Sequence, residues 1–197
     1  TNRLPSDRSE QMIVNNYQAM QRIREIADIE LNPAVIFDLH RILTVNTLDN
    51  PDAAGRVRTP HEKVGIYDER DNELLHNPPA AEELPRRLKT LCDFANGKIP
   101  DYFIHPVIRA IILHFGLAYD HPFVDGNGRC ARALFYWMML KEKYWLFEFI
   151  SISQIIKKGP AKYTRAFLYT ETDENDLTYF ILYHLEIILQ AVDELVG

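Results

Sequence analysis

Apolar residues recur at helical spacing over most of this chain. In the first such segment, residues 7–26, they return every three or four positions after a capping pattern formed by Asp7 and Glu10. Similar segments, opened by prolines or capping residues, predict seven more helices. These are expected at residues 32–45, 80–96, from Pro106 onward, 127–143, after Ser151, after Pro160 and at 176–195. The pattern therefore predicts an all-α fold.

The polar segment 46–79 interrupts this pattern with several prolines and a glycine at Gly55. Within it, residues 63–67 alternate and predict a short strand, residues 68–73 predict a polar turn, and residues 74–76 predict a returning strand. A long loop in a compact domain is either a plain surface or a carrier of function. The sequence leaves both interpretations open.

Composition and charge limit the classes of function. The 197 residues fit one domain, and the formal net charge of -6 offers no basic surface, so we expect neither nucleic acid nor membrane as a partner. The two cysteines favour a reducing, cytoplasmic location over a disulfide-stabilised one. The longest strongly apolar run, residues 133–140, is too short to cross a bilayer. Because the chain begins with Thr1, we expect it to be part of a longer protein.

One window, residues 121–132, concentrates groups suited to phosphate chemistry. Gly126, Asn127 and Gly128 come just before or at a predicted helix start, where free N–H groups and the helix dipole attract anions. Arg129 and Arg132 are three residues apart and project from one side of the first turn. Two cations at a helix N-terminus oppose the dipole, so their presence indicates that an anion binds there. Phosphate oxygens suit guanidinium groups best.

The same window supplies a base and a carboxylate. Asp125 offers hard oxygen ligands, and Mg²⁺ typically binds one or two carboxylates together with substrate phosphates. His121 lies on the loop leading in, and an imidazole that titrates near neutrality suits a general base. This set of groups indicates transfer of a phosphorus-centred group to a hydroxyl.

The window matches the motif His-x-Phe-x-Asp-Gly-Asn-Gly-Arg-x-x-Arg at all eight fixed positions, and so the chain resembles the Fic (filamentation induced by cAMP) family. Residues 55–58, His105, Pro106, His114 and residues 176–181 extend the resemblance. It implies a single Fic domain over residues 1–197, a helical bundle with a small β-hairpin flap. The implied parts are an N-terminal helix (1–30), a loop and flap (55–79), core helices with the motif (105–145) and C-terminal helices (146–197).

The resemblance also implies an activity and residue roles. Most Fic domains transfer AMP from ATP to a Ser, Thr or Tyr hydroxyl of a target protein and release pyrophosphate. By position, His121 would deprotonate the hydroxyl and Asp125 would hold Mg²⁺ on the α- and β-phosphates. The other motif residues would bind phosphates: Gly126, Asn127 and Gly128 as a cradle, Arg129 at the β-phosphate and Arg132 at the γ-phosphate. The flap strand would align the target by strand addition; its residues are Lys63, Val64, Gly65, Ile66 and Tyr67.

Three alternatives stay open at this point. A Fic-fold enzyme can use another donor, such as one that supplies UMP or phosphocholine, or can remove AMP. A non-catalytic nucleotide-binding regulator is less favoured, because such a protein is expected to lack His121 or Asp125 and both are present. The target protein and the oligomeric state, including whether the chain forms an oligomer at all, cannot be read from the sequence.

Two further residues, Glu174 and Asp120, allow a prediction from the sequence. Many relatives carry an inhibitory glutamate in the pattern Ser/Thr-x-x-x-Glu-Gly/Asn, which Glu174 matches, although a solvated acidic turn is the favoured interpretation there. Asp120 stands where we expected an apolar residue, and we expect it to face solvent rather than to bond the imidazole of His121.

The remaining histidines show no metal-ligand spacing. We expect packing or surface positions for three of them, His40, His76 and His184, and a core position for His114.

Overall fold

The computed structural model describes residues 4–67 and 74–197, and eight helices with one two-stranded hairpin account for most of this part of the chain. The helices are α1 (Arg8–Ile26), α2 (Pro33–Thr44), α3 (Leu84–Ala95), α4 (Pro106–Asp120), α5 (Asn127–Lys141), α6 (Ile152–Lys158), α7 (Pro160–Thr172) and α8 (Thr178–Val196). The strands are β1 (Ile66–Tyr67) and β2 (Leu74–His76). The predicted all-α class with a small hairpin is confirmed.

Capping residues fix where the helices begin. The Asp7 carboxylate accepts from the Glu10 N–H at 2.8 Å, and the Asn32 side chain accepts from the Val35 N–H at 3.1 Å. Each thereby satisfies one of the backbone donors that a helix start leaves unpaired. The Ser151 hydroxyl caps α6 in the same way. These three predicted helix starts are confirmed.

The predicted helix at residues 80–96 differs at its beginning. Its first turn, Ala81–Glu83, is a 3₁₀ turn, and α3 starts only at Leu84. Pro85 explains the difference, because proline has no N–H and the α-helical bond back to Ala81 is therefore missing.

Helix α5 forms the centre of the molecule. Ten of the eleven residues from Cys130 to Leu140 are buried, and Arg132 is the exception. A helix that is apolar on all sides must be packed against other elements on all sides. Helix α4 packs along it most extensively, and α1 and α2 cover another side. The indole Nε1–H of Trp137 donates to the Ile26 carbonyl at the end of α1 at 3.1 Å. This packing places the loop between α4 and α5, which carries the predicted phosphate-binding motif, at the end of a closely packed helix pair.

The hairpin is shorter than predicted. β1 and β2 pair antiparallel, with Ile66 opposite His76 and Tyr67 opposite Leu74, and an irregularity lies between the two pairs. The strand begins at Ile66 and not at Lys63, because β2 ends at His76 and is followed by Asn77 and two prolines. Proline cannot donate to a strand ladder, so pairing stops there. The predicted turn at residues 68–73 lies outside the described residues.

Among the described residues, no helix has the length and apolar character that crossing a membrane requires.

Candidate active site

The residues of the motif lie on the turn that connects α4 to α5. His121 follows the last residue of α4 in a left-handed conformation (φ 45°, ψ 54°), and its N–H donates to the Leu117 carbonyl at 3.0 Å. Gly126 immediately precedes α5, also with a positive φ of 85°. A side chain at Gly126 would meet the Thr44 methyl group at 2.8 Å and His40 Nε2 at 3.2 Å. Only glycine therefore fits this turn, which α2 closes from behind.

The imidazole of His121 is held in one tautomer. Its Nδ1 lies 3.2 Å from the Ala118 carbonyl oxygen, which can only accept, so Nδ1 carries the hydrogen. Nε2 is then the basic nitrogen. Burial lowers the pKa of His121 to about 4, against the opposing effect of the Ala118 hydrogen bond. The side chain is therefore neutral at physiological pH and available as a base.

A second residue, Arg58, fixes the backbone around His121. Its N–H donates to the Pro122 carbonyl at 2.8 Å and its Nε donates to the His121 carbonyl at 2.9 Å. Its Nη2 donates to the Pro79 carbonyl, beyond the hairpin. Arg58 is 7% exposed and has no carboxylate partner among the described residues. The sequence placed Arg58 in the family resemblance but gave no sign of this role.

These contacts predict the effect of removing the guanidinium of Arg58. Arg58→Ala leaves two carbonyl groups without donors, and we expect the free energy of unfolding to fall by about 2–3 kcal/mol. Arg58→Lys should lose less, since one ammonium group can still donate to one carbonyl. Urea unfolding measures both. Arg86, whose side chain is 74% exposed, provides the control, and Arg86→Ala should change little. Equal losses in the Arg58→Ala and Arg86→Ala variants would contradict this role.

The side chain of Asn127 holds the motif loop closed. Its Oδ1 accepts from the Phe123 N–H at 2.9 Å and its Nδ2 donates to the Phe123 carbonyl at 2.7 Å. Asn127 is 2% exposed. Its amide side chain is therefore committed to the loop, and only its backbone N–H remains for a ligand.

The first turn of α5 leaves backbone donors unpaired by any side chain among the described residues. The N–H groups of Asn127, Gly128 and Arg129 have no intrahelical acceptor, as at every helix start. The Gly128 Cα lies close to the Arg132 guanidinium, which a Cβ at position 128 would approach to 3.2 Å. Unpaired N–H groups, the helix dipole and a guanidinium together make a site for an anion.

The two arginines of the motif differ in how firmly the protein holds them. Arg129 is 12% exposed, and its Nη1 donates to the Leu43 carbonyl and to the Thr47 hydroxyl, each at 2.9 Å. Its Nη2 donates to Asp125 at 3.1 Å. Arg132 has no carboxylate within ion-pair distance among the described residues. Arg129 thus has few free donors, whereas no described carboxylate compensates the charge of Arg132.

Two cavities lie beside this first turn of α5. The cavity we call the flap cavity, of about 160 Å³, is lined by His121, Gly128, the hairpin residues Ile66 and His76, and Tyr163 and Glu171 of α7. The arginine cavity, of about 270 Å³, is lined by Arg129 and Arg132 together with Met20, Tyr136 and Ser151. The structure thus brings His121 and the hairpin into one cavity and both arginines into the other.

Asp125 is the carboxylate best placed for a metal. Its side chain is 48% exposed; Oδ1 accepts from the Gly126 N–H at 2.6 Å, and Oδ2 lies 3.1 Å from Arg129 and 3.4 Å from Arg8. No group of three or more histidine, cysteine, aspartate or glutamate side chains within residues 4–67 and 74–197 could hold a metal alone. A single accessible carboxylate beside a site suited to anions could hold Mg²⁺, which takes its remaining ligands from phosphates and water.

His40 is a residue of the site that sequence analysis missed. Its Nδ1 accepts from the Gly55 N–H at 2.9 Å, so Nε2 carries the hydrogen and donates to the Asp125 carbonyl at 2.9 Å. The ring stacks on Phe123 with centroids 3.7 Å apart. Burial lowers the pKa of His40 to about 4, which keeps it neutral as both bonds require. Of the two positions expected for His40, packing or surface, the structure shows packing. No local pattern indicated that His40 joins α2 to the motif.

The expectation that Asp120 faces solvent is wrong. Asp120 is 4% exposed, and its Oδ1 accepts from Nε of Arg87 on α3 at 2.6 Å. The carboxylate is thus paired with α3 and makes no bond to the imidazole of His121. Burial raises the pKa of Asp120, and the Arg87 hydrogen bond opposes this. The pair faces a groove of about 720 Å³ between α3 and α4, larger than either cavity at the motif.

Glu174 has the surroundings of a solvated turn. It is exposed, with φ 51°, in the connection between α7 and α8, and forms no ion pair with a described residue. Within residues 4–67 and 74–197, Glu174 therefore has no ion pair through which it would inhibit the site.

Comparisons with known proteins agree with this geometry. The model of the Fic/DOC family matches residues 30–139, which is more than half of the chain and includes the hairpin and the whole motif. The chain belongs to the Fic/DOC family. A solved Fic family protein from Desulfovibrio desulfuricans superimposes with a TM-score of 0.76 at 25% identity, over 98% of this chain and 55% of that one.

Relatives with assigned names are also similar. Protein adenylyltransferase Fic from Nematostella vectensis is 36% identical over 99 residues, which cover 50% of this chain and 20% of that protein. Protein adenylyltransferase fic-1 from Caenorhabditis elegans is 34% identical over 109 residues, 55% of this chain and 19% of that protein. The matched regions thus span about a fifth of these relatives. Both relatives carry the name protein adenylyltransferase.

Proposed function

We propose that this Fic/DOC domain is a protein adenylyltransferase, which transfers AMP from ATP to a Ser, Thr or Tyr hydroxyl of a target protein. The observation that carries the proposal is the tautomer of His121, whose Nδ1–H is bonded to Ala118 so that Nε2 is the free base. His121 lines the same cavity as Gly128, which lies at the anion-binding start of α5. Base and phosphate site are therefore neighbours, as group transfer to a hydroxyl requires.

The proposed reaction uses the residues as follows. Nε2 of His121 takes the proton of the target hydroxyl while the hydroxyl oxygen forms a bond to the α-phosphorus of ATP. The bond between the α-phosphorus and the bridging oxygen breaks, and pyrophosphate leaves with the electron pair. The N–H groups of Gly128 and its neighbours in α5 bind phosphate oxygens, and Arg132 with its free charge binds the outer phosphates. His121 then releases its proton to solvent.

Asp125 would hold a Mg²⁺ ion together with the nucleotide. The metal would neutralise phosphate charge when bound. The chain's own part is to keep Asp125 oriented, through the Gly126 N–H on Oδ1 and through His40 on the Asp125 carbonyl. Arg129, which already donates to Asp125, would fix the carboxylate and offer its remaining donors to the β-phosphate.

The hairpin would receive the target. β1 pairs with β2 along one edge, and Ile66 and Tyr67 are both exposed. The other edge of β1 can accept an extended segment by strand addition. Lys63, Val64 and Gly65 lie just before the strand and would extend the contact along the target backbone.

Labelling with radioactive ATP tests the proposal. The protein is incubated with Mg²⁺, a cell lysate and ATP labelled at either the α- or the γ-phosphate, in parallel with UTP labelled at the α-phosphate. Relative to the same lysate incubated without the protein, we expect additional protein-bound label from α-labelled ATP only. Label from the γ-phosphate would indicate phosphate transfer, and preferential label from UTP would indicate transfer of UMP. Absence of label under all three conditions, both on the lysate proteins and on the chain itself, would contradict a transferase.

A further inference from the structure

The imidazole of His76 joins three elements around the flap cavity. His76 is the last residue of β2 and is 7% exposed. Its Nδ1 lies 2.8 Å from Oε2 of Glu171 on α7, and its Nε2 lies 2.7 Å from the Tyr119 carbonyl oxygen near the end of α4. The ring also packs against the Tyr119 ring, with centroids 4.7 Å apart.

Both nitrogens of His76 face acceptors, which constrains its protonation. A carbonyl oxygen only accepts, so Nε2 must donate to Tyr119. A second hydrogen must then lie between Nδ1 and the Glu171 carboxylate, since neutral imidazole has only one. The pair therefore holds one more proton than neutral histidine beside ionised glutamate would hold. We call this arrangement the flap clasp: His76, Glu171 and the Tyr119 carbonyl.

The position of the flap clasp couples the hairpin to the base. Tyr119 is two residues before His121, and His76 and Glu171 line the flap cavity together with His121. The clasp thus fastens β2 both to the segment that leads into the base and to the opposite wall of the cavity. Since β1 pairs with β2, the clasp on β2 also sets where β1 lies.

We propose that His76 is a positioning residue for the transfer reaction: protonated and bonded to Glu171 and Tyr119, it holds the hairpin over His121 so that a target segment added to β1 is aligned with the base. This inference rests on the proposed function. The inference adds a positioning residue outside the motif to the proposed function, and it makes target alignment depend on one proton.

The charges around His76 set the direction of this dependence. Glu171 faces it from α7, and Asp120, paired with Arg87, and His121 lie nearby at the end of α4. Burial lowers the pKa of His76, but the hydrogen bonds to Glu171 and Tyr119 outweigh it and leave the pKa above its usual 6.5. A raised pKa in the folded state means that the clasp is complete below about pH 6.5 and is lost as the pH rises through the folded value.

Two substitutions separate the effect of the extra proton from the effect of the hydrogen bonds of the clasp. His76→Ala removes the clasp at every pH. Glu171→Gln keeps it without the extra proton, because the glutamine amide donates to Nδ1 of a neutral ring whose Nε2–H still bonds Tyr119. Glu142→Gln, an exposed position, and His61→Ala, likewise exposed, are the matched controls.

Amide hydrogen exchange measured between pH 6 and 9 tests the clasp without any activity. After correction for intrinsic exchange, we expect protection of residues 74–76 to decrease with rising pH in the unaltered protein, to be low throughout in His76→Ala, and to stay constant in Glu171→Gln. Controls should behave as the unaltered protein. Protection in His76→Ala equal to that of the unaltered protein, or a ring of His76 that titrates at or below 6.5 by NMR, would overturn the proposal.

Kinetics then link the clasp to the reaction. We expect His76→Ala to lower kcat/KM for the target by about ten- to a hundredfold while KM for ATP is unchanged, because the phosphate site is untouched. Equal losses for target and ATP would overturn the positioning role. If the unaltered protein transfers no label, the proposed function fails, and the exchange measurement still decides the clasp on its own.

Discussion

His121→Ala should lower the rate of transfer by about 10²–10⁴-fold, which is the usual contribution of a positioned general base. The substitution removes Nε2, and no other histidine among the described residues lines the flap cavity except His76, which is committed to Glu171 and Tyr119. ATP binding should be retained, because the backbone donors of α5 and both arginines are unchanged. Rates of label transfer and the affinity for ATP measure the two effects separately.

The exposed His61 supplies the control for this experiment, and His61→Ala should transfer at the unaltered rate. The pH profile gives a second check. Because burial lowers the pKa of His121 to about 4, the base is neutral above that value, so on the acidic side kcat/KM should stay level until the pH drops through about 4. Transfer that persists in His121→Ala would contradict the assignment of the base.

Gly126→Ala should be the most damaging of the small substitutions in the loop. The position has φ 85°, which costs an alanine about 1–2 kcal/mol, and the new Cβ would lie 2.8 Å from Thr44 Cγ2 and 3.2 Å from His40. Overpacking of this kind typically adds about 1–3 kcal/mol. We therefore expect the free energy of unfolding to fall by about 2–5 kcal/mol, with loss of transfer as the loop moves away from His40.

Gly97→Ala separates the backbone cost from the packing cost in the expected loss of stability. It has φ 74°, and a Cβ there would have no neighbour within 4 Å among the described residues. Gly97→Ala should therefore show the backbone cost alone, about 1–2 kcal/mol, with transfer unchanged. Denaturant unfolding compares the variants, and equal losses at positions 97 and 126 would contradict the close packing of α2 against the motif loop.

The helices and the contiguous part of the site could be predicted from the sequence, because both are encoded locally. Side-chain caps such as Asp7 and Asn32 lie within a few residues of the groups they satisfy, and apolar spacing repeats within each helix. The motif consists of consecutive residues, 121–132, so they are neighbours in any fold that forms this loop and the helix start after it. The start of α3 was less predictable because Pro85 removes a bond that periodicity does not register.

The residues that hold the site together could not be predicted in this way. His40 contacts the carbonyl of Asp125, Arg58 the carbonyl of His121, and His76 the carboxylate of Glu171, across separations of 85, 63 and 95 residues. Single polar residues that bond distant backbone groups leave no periodic pattern. The buried pair of Asp120 and Arg87 shows the same limit, because a charged residue at the end of a helix is ordinarily solvated.

A crystal structure with Mg²⁺ and a non-hydrolysable ATP analogue tests the central claim most directly. We expect phosphate oxygens on the backbone donors at the start of α5, Arg132 on the outer phosphates, and Nε2 of His121 directed toward the α-phosphorus with Nδ1 still bonded to Ala118. A nucleotide bound elsewhere, or an imidazole whose Nε2 points away from the α-phosphorus, would contradict the account.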